Sequence, residues 1–288
     1  MDFHHPLFQS LALPLCIAFA ATGFLRGVLG PVQAARWAAV GVAVAIVGTV
    51  LWVLGWRLMP GALTEKLPWV YAAAALLGLG LEAMRAGRRA QWLAAGILWA
   101  LVLAILAWQP LPLKIGIWLL GLAVIRAVLK ETPRRADAIA MLVLASFGLA
   151  ALAMMSGSAL LFELSLGLGA ALAGCALWLW PVGRIAFGAS GAVVALLAWL
   201  ALAQATALLT PARPGALLLL AASFTSGSLV RWGHRRLRRG EGRPWVETLI
   251  VAAVAALWVA AALALAHWGG GVDGPAANMD DPYYKPRW

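Results

Sequence analysis

The stretch RRLRRGEGRPWVETLIVAAVAALWVAAALALAHW (residues 235–268) contains the two features that decide the fold of this chain. A cluster of arginines is followed directly by an apolar run that is long enough for a helix to cross a hydrocarbon core about 30 Å thick. Because lipid offers the backbone no hydrogen-bond partners, an apolar run of this length is expected to be helical. The stretch therefore predicts a membrane-spanning helix that starts at a basic loop.

The same pattern recurs along the chain, which is 64% hydrophobic and only 11% charged. Soluble globular proteins carry about 25% charged residues, so this composition excludes them. We predict an all-α, polytopic membrane helix bundle of about ten transmembrane helices in residues 1–268, followed by a flexible tail, 269–288. The predicted segments are 7–25, 37–55, 67–83, 91–108, 111–129, 138–155, 159–180, 185–209, 214–230 and 246–268.

Basic residues predict the orientation of the bundle. Sixteen of the 22 Lys and Arg residues lie in alternate connections, beginning with the first. Cytoplasmic loops retain Lys and Arg, so these connections are expected inside and both termini outside. The Ala- and Arg-rich, Lys-poor usage favours a bacterial inner (cytoplasmic) membrane. The sixteen residues are Arg26, Arg36, Arg85, Arg88, Arg89, Arg126, Lys130, Arg134, Arg135, Arg184, Arg231, Arg235, Arg236, Arg238, Arg239 and Arg243.

The net charge of +11 predicts a particular kind of partner. The cations flank apolar segments, so anionic lipid headgroups at the cytoplasmic loops are the expected counter-charge and nucleic acid is not. Cys16 and Cys175 both fall inside apolar segments, with neither a disulfide pattern nor metal-ligand spacing. We therefore expect no cofactor and no metal site.

Glu163, inside the seventh segment, is the clearest candidate for a functional side chain. An ionisable group in hydrocarbon is expensive, at about 3 kcal/mol on insertion scales, and is a functional-site hypothesis by default. Four other polar residues are expected at the same outer depth: Gln9, Lys114, Gln204 and His267. Together they predict an outward-facing pocket for a solute or a proton. The alternative is that Glu163 is neutral or pairs with Lys114 and fixes the helix register.

Two further interpretations concern helix packing. The seventh segment is rich in Gly, Ala and Ser, which allow close helix contact in lipid, and this favours it as the central helix. Glu82 lies one turn before Arg85, a spacing that predicts a local ion pair.

The apolar run ends at Trp268, and the sequence after it predicts a flexible tail that ends in DDPYYKPRW. Asp281, Tyr283, Tyr284 and Trp288 are candidates for docking a membrane-protein partner through residues 280–288. The alternative is a frayed terminus whose aromatic rings rest on the headgroups, since such rings prefer the interface.

One short motif bears on catalysis. Gly188-Ala189-Ser190-Gly191 resembles the GxSG motif of rhomboid intramembrane proteases, and Ala266-His267 resembles the motif around their histidine. The predicted topology places Ser190 near the inner end of its helix and His267 at the outer end, whereas base and nucleophile must lie about 3 Å apart. The sequence contains none of the HExxH, CxxC or P-loop patterns, and we expect no enzyme activity.

Three functions are consistent with these sequence features. A permease-like transporter of a small or hydrophobic solute is favoured by Glu163 and Gln204, and in helix number and length the chain is similar to drug/metabolite exporters. A non-catalytic subunit or assembly factor of an inner-membrane complex is favoured by the aromatic tail. The third is an enzyme that acts on lipid-linked substrates, in which the inner basic loops hold a pyrophosphate.

Overall fold

The computed structural model describes residues 8–106, 109–132, 136–180, 185–236 and 244–268. Within these ranges the chain is helical and no strand occurs, which confirms the predicted all-α class. A π-helical turn, Phe8–Ala12, precedes α1, and a 3-10 turn, Ser223–Thr225, joins α9 to α10. The helices are α1 (Leu13–Trp37), α2 (Val40–Leu54), α3 (Leu67–Ala83), α4 (Arg88–Leu106), α5 (Leu111–Glu131), α6 (Asp137–Met155), α7 (Ala159–Leu179), α8 (Ala189–Leu209), α9 (Pro214–Ala222), α10 (Ser226–Arg236) and α11 (Pro244–Trp268).

Eight helical stretches of the described chain are long and apolar enough to cross a membrane, so the protein is a membrane protein. One of these stretches, Pro214–Arg236, is made up of α9, the 3-10 turn and α10. The helices α2 and α3, with 15 and 17 residues, are shorter than the roughly 20 residues that a bilayer core requires. The eight stretches are Phe8–Gly30, Arg88–Leu106, Leu111–Glu131, Asp137–Met155, Ala159–Leu179, Ala189–Leu209, Pro214–Arg236 and Trp245–Trp268.

The first helix is longer than the sequence predicts. Arg26 and Arg36, expected in a loop, lie on α1, which continues to Trp37 across a kink at Gly30. Gly30 has a φ of 71°, a backbone conformation that glycine adopts without the steric cost of a side chain. Because the backbone of Gly30 is not helical, α1 consists of two helical parts, 13–29 and 31–37, that meet at this kink, and α2 starts at Val40.

The helix α8, rather than α7, is the centre of the bundle, so the prediction based on small residues was wrong. Seventeen of the 21 residues of α8 are buried, against twelve of 21 in α7. The physical reason is that α8 has no charged residue and is apolar on every face, which is typical of a helix surrounded by others. It contacts α2, α3, α4, α5, α6 and α7.

The small residues of α7 serve close packing against α1 and α2. A Cβ atom on Gly174 would lie 2.4 Å from the carbonyl oxygen of Leu15, and one on Gly167 would lie 2.9 Å from Thr49 Cγ2. Both distances are below van der Waals contact, so only glycine permits these helices to approach so closely. Van der Waals packing of this kind replaces the hydrophobic drive that lipid removes.

A buried carboxylate joins three helices where α1 and α3 end and α8 begins. Glu82 accepts hydrogen bonds from Arg36 Nε at 3.0 Å and from the backbone N–H of Ser190 at 3.2 Å. The carboxylate therefore lies at the positive N-terminus of α8, where a negative charge is favourable. The predicted partner of Glu82, Arg85, is not the partner that the structure shows. We call this end of the bundle, where α1, α3, α5, α7 and α10 end, the basic end.

Two more buried carboxylates lie at the basic end. Glu131, at the last turn of α5, is 1% exposed. Its carboxylate accepts hydrogen bonds from both terminal nitrogens of Arg231, so the two side chains form a bidentate ion pair. Asp137, at the first turn of α6, accepts a hydrogen bond from Thr248 Oγ1 of α11 at 2.5 Å. These contacts connect α5 with α10 and α6 with α11, so together with the Glu82 contacts seven helices are held by hydrogen bonds to buried carboxylates.

At the opposite end, the loop between α2 and α3 is organised by Glu65. Its carboxylate pairs with Arg57 at 2.5 Å and accepts hydrogen bonds from the amides of Gly61 and Ala62. These amide contacts hold the pKa of Glu65 below its usual value, because they stabilise the ionised form. The loop is further fixed by Trp69, whose indole N–H donates to the Arg57 carbonyl at 2.9 Å.

The Ser and Thr cluster between α9 and α10 has a structural role. Ser223, Thr225 and Ser226 each donate to a backbone carbonyl three residues earlier, at 2.6 to 2.7 Å. Such bonds compete with the helical ladder and bend the helix. The 3-10 turn at this point is the result, and Phe224 is thereby packed into the core.

Candidate functional site

A cleft between α4, α5, α8 and α9 is the candidate functional site. Its volume is about 450 Å³. At its rim, Leu113 of α5 and Leu218 of α9 are 50% and 52% exposed, so the cleft opens sideways to the surface between these two helices. The lining consists of Trp99, Gln109, Leu113, Gly116, Ile117, Leu120, Gly121, Val124, Trp199, Leu200, Ala203, Gln204, Ala207, Pro214, Leu217, Leu218 and Ala221.

Two tryptophans form the buried part of this lining. Trp99 and Trp199 are 1% and 2% exposed, and neither indole N–H has a hydrogen-bond partner among the described residues. A buried donor that stays unpaired costs about 1 to 3 kcal/mol.

Close packing fixes the position of both rings. The Trp199 ring meets Phe224 edge to face, with ring centroids 4.8 Å apart. The Trp99 ring lies so near α5 that a Cβ atom on Gly121 would be 2.0 Å from its nitrogen. The indole nitrogen of Trp99 thus faces a glycine that itself lines the cleft. The two donors are held by rigid neighbours instead of rotating freely.

Two glutamines lie nearer the opposite end of the same cleft. Gln204 is 5% exposed, and its Nε2 lies 3.5 Å from Oε1 of Gln109, a long and therefore weak hydrogen bond. Gln204 is about 7 Å before the end of α8, and Trp199 about 15 Å, at 1.5 Å rise per residue. The polar groups of the cleft are consequently spread from near one end of the bundle to its middle.

None of the described residues that line the cleft has an ionisable side chain. Its polar groups are two primary amides and two indole donors, set in an otherwise aliphatic wall. A few placed polar groups in an apolar cleft are typical of small-molecule sites. This arrangement can bind an uncharged molecule with hydrogen-bonding oxygens, while an ion would lose its hydration without gaining a counter-charge.

Of the five solute-site candidates predicted from the sequence, Gln204 alone lines the cleft. Glu163 is half-buried on α7 and makes no ion pair or hydrogen bond through its side chain with any described residue. Lys114 follows the lining residue Leu113 on α5 but does not line the cleft, and the proposed Lys114 to Glu163 pair is not formed in the described structure.

The other two candidates lie elsewhere. Gln9 is in the π-helical turn that packs against α1 and α7, and His267 is an exposed residue near the end of α11. The structure therefore does not bring the five residues together in one pocket. The docking candidates Asp281, Tyr283, Tyr284 and Trp288 lie outside the described residues, and docking through them stays a prediction.

Ser190 and His267 lie at different ends of the bundle. The buried Ser190 hydroxyl is 3.5 Å from Glu82 Oε2, at the basic end where α8 begins. His267 is at the far end of α11, a helix that starts at the basic end. The arrangement that the GxSG resemblance requires is therefore not formed. Within the described ranges, no group of three His, Cys, Asp or Glu residues could hold a metal ion.

The sequence alone did not identify Trp99, Trp199 or Gln109 as parts of a site. One signal was available for the tryptophans, since an indole in the middle of an apolar segment has a donor that lipid cannot satisfy. Gln109 follows the predicted segment 91–108 directly and carried no such signal. The sequence matches no protein-family model and no curated protein.

Proposed function

We propose that this chain is a permease-like carrier that binds a neutral, largely hydrophobic solute in the cleft between α4, α5, α8 and α9. One observation carries the proposal: an amide pair and two tryptophans whose buried indole N–H groups have no partner among the described residues line one apolar cleft of about 450 Å³. The sideways opening between α5 and α9 gives the solute a route from the lipid phase. An ester, carbonyl or ether oxygen is the acceptor that suits the indoles.

We further propose that the bundle has ten spans in a bacterial inner membrane, with both termini outside. The alternation of basic connections supports this orientation. The helices α2 and α3 are included because their ends join those of longer helices, as Arg36, Glu82 and Ser190 show at the basic end. Two short helices in a bundle can be accommodated by local thinning of the bilayer.

Reporter fusions test the orientation. Alkaline phosphatase, which is active only outside the cytoplasm, is expected to be active when fused after Met155 or at the C-terminus. The same enzyme fused after Arg236, at the basic end, is expected to be inactive. Activity after Arg236 together with inactivity after Met155 would reverse the proposed orientation.

Photolabelling tests the solute site. The probe is a diazirine-bearing monoacylglycerol, a neutral amphiphile with ester and hydroxyl oxygens, added to protein in liposomes. We expect labelled peptides to concentrate in residues 113–124 and 199–207, because those residues line the cleft. Gly116→Leu, which places an isobutyl group in the cleft, is expected to reduce this labelling at least about tenfold, as steric exclusion removes most of the contact.

Gly116→Ala is the matched control, because a Cβ atom at this position has no heavy atom within 4 Å. Its labelling is expected to stay close to that of the wild type. Uptake of the same probe into the liposome interior distinguishes a carrier from a passive binding protein. Equal labelling of all lipid-facing helices, unaffected by Gly116→Leu, would contradict the proposed site.

A further inference from the structure

Four cations converge on a second cavity, at the basic end between α4 and α5. The cavity has a volume of about 460 Å³. Two of the cations lie in the first turn of α4 and two in the last turns of α5. We call it the α4–α5 pocket, and it is lined by Arg88, Arg89, Trp92, Arg126, Leu129 and Lys130.

No carboxylate lines the pocket in the part of the chain that the structure describes. Among the described residues, none of its four cations makes an ion pair, and all four are exposed. The acid next to Lys130 in sequence is Glu131, which is buried and turned towards Arg231 instead. The positive charge of the pocket is therefore left for a ligand, and the N-terminus of α4 adds to the positive potential there.

The pocket also has an apolar floor at interfacial depth. Trp92 lies one turn into α4 and donates its indole N–H to the carbonyl oxygen of Leu122 at 3.2 Å, which holds the ring across the two helices. Leu129 is buried beside it. Trp is typical of the headgroup region of a bilayer, where the charged headgroups of the lipids meet their apolar chains.

We infer that the α4–α5 pocket binds the phosphate groups of an anionic phospholipid, with preference for a headgroup that carries two phosphodiesters. Arg forms bidentate hydrogen bonds to phosphate oxygens. Basic pockets between transmembrane helices on the cytoplasmic side suit such headgroups. The charge of four unpaired cations is balanced better by two phosphates than by one. The floor formed by Trp92 and Leu129 would contact the glycerol and the first carbons of the acyl chains. This inference does not depend on the proposed transport activity.

Native mass spectrometry of the detergent-purified protein tests the inference. Cardiolipin, phosphatidylglycerol and phosphatidylethanolamine are titrated separately, and adducts are expected in that order of affinity. The double variant Arg89→Gln/Arg126→Gln removes one cation from each helix of the pocket. We expect it to weaken cardiolipin binding about 25-fold, which is about fivefold per cation near an anionic surface.

The control is Arg235→Gln/Arg236→Gln, which removes the same charge at the same end of the bundle but outside the pocket. It is expected to weaken cardiolipin binding by no more than about twofold, because screened charges act weakly at a distance. An equal loss in both double variants would overturn the inference, since the effect would then be one of net charge. Full displacement of cardiolipin by millimolar inorganic phosphate would also overturn it, because the site would then take free phosphate.

Circular dichroism and size-exclusion profiles check that both double variants fold. All four substitutions are at exposed positions, so the variants are expected to match the wild type in both measurements. If the pocket variant alone misfolds, single variants at Arg89 and Arg126 carry the comparison, each with about a fivefold expected loss.

Discussion

Replacing Glu131 with alanine is expected to lower the free energy of unfolding by about 3 to 5 kcal/mol, because removal of one partner leaves a buried charge unpaired. Glu131 is 1% exposed, and the side chain of its partner Arg231 is only 15% exposed. The guanidinium would lose its bidentate acceptor in a place that water reaches poorly. Reversible unfolding in mixed micelles, followed by tryptophan fluorescence, measures the effect.

The Arg57 and Glu65 pair provides the comparison. Its arginine side chain is 67% exposed, so water already solvates the ions and the pair contributes little. Arg57→Ala, which removes this ion pair but keeps the amide hydrogen bonds of Glu65, is therefore expected to cost much less than Glu131→Ala. The double variant Glu131→Leu/Arg231→Met, which removes both buried charges, is expected to recover most of the lost stability. Similar losses for Glu131→Ala and Arg57→Ala would show that the buried pair has no special role.

Gly121→Ala is expected to disturb both the stability of the bundle and the shape of the cleft. The new methyl group would lie 2.0 Å from Trp99 Nε1 and 2.6 Å from Trp99 Cδ1, and this ring is 1% exposed with no free space to retreat into on the packed side. Overpacking of this kind costs about 1 to 3 kcal/mol. The ring is expected to move into the cleft, so labelling by the neutral probe should fall together with stability.

Two variants separate this mechanism from a general effect of alanine in α5. Gly116→Ala lies on the same helix and lines the same cleft but meets no neighbouring atom within 4 Å. It is expected to leave stability and labelling unchanged. Adding Trp99→Phe to Gly121→Ala removes the pyrrole ring that the methyl group meets, and part of the stability should return. Identical behaviour of the two alanine variants would contradict the proposed role of Trp99.

Most helix positions could be predicted from the sequence because membrane insertion depends on apolar length, which is a local property. The predicted segments 67–83 and 111–129 agree closely with α3 and α5. The main error was at Arg26 and Arg36, where basic residues were interpreted as a loop. Charged residues near the membrane surface are compatible with helix, and the chain changes direction at Gly30, where the helical backbone is interrupted.

The contacts between helices could not be predicted in the same way. Glu82 was assigned to Arg85 because a spacing of one turn is visible in the sequence, whereas its partners Arg36 and Ser190 are 46 and 108 residues away. The solute site could not be predicted for the same reason, since nothing in the local sequence indicates that Gln204 lies near Gln109. In lipid, apolar periodicity does not specify which face a helix buries, because both surroundings are apolar.

The shared carboxylate at Glu82 has a consequence for biogenesis. A ribosome delivers Arg36 and Glu82 to the membrane well before Ser190, so the acid can pair with the arginine first and receive the amide of α8 only later. Until α8 is inserted, α2 and α3 lack a helix that they contact in the finished bundle, and Gly78 of α3, which packs closely against α8, would be left uncovered. A chain truncated before residue 189 lacks this central helix and is expected to be a substrate for membrane proteases.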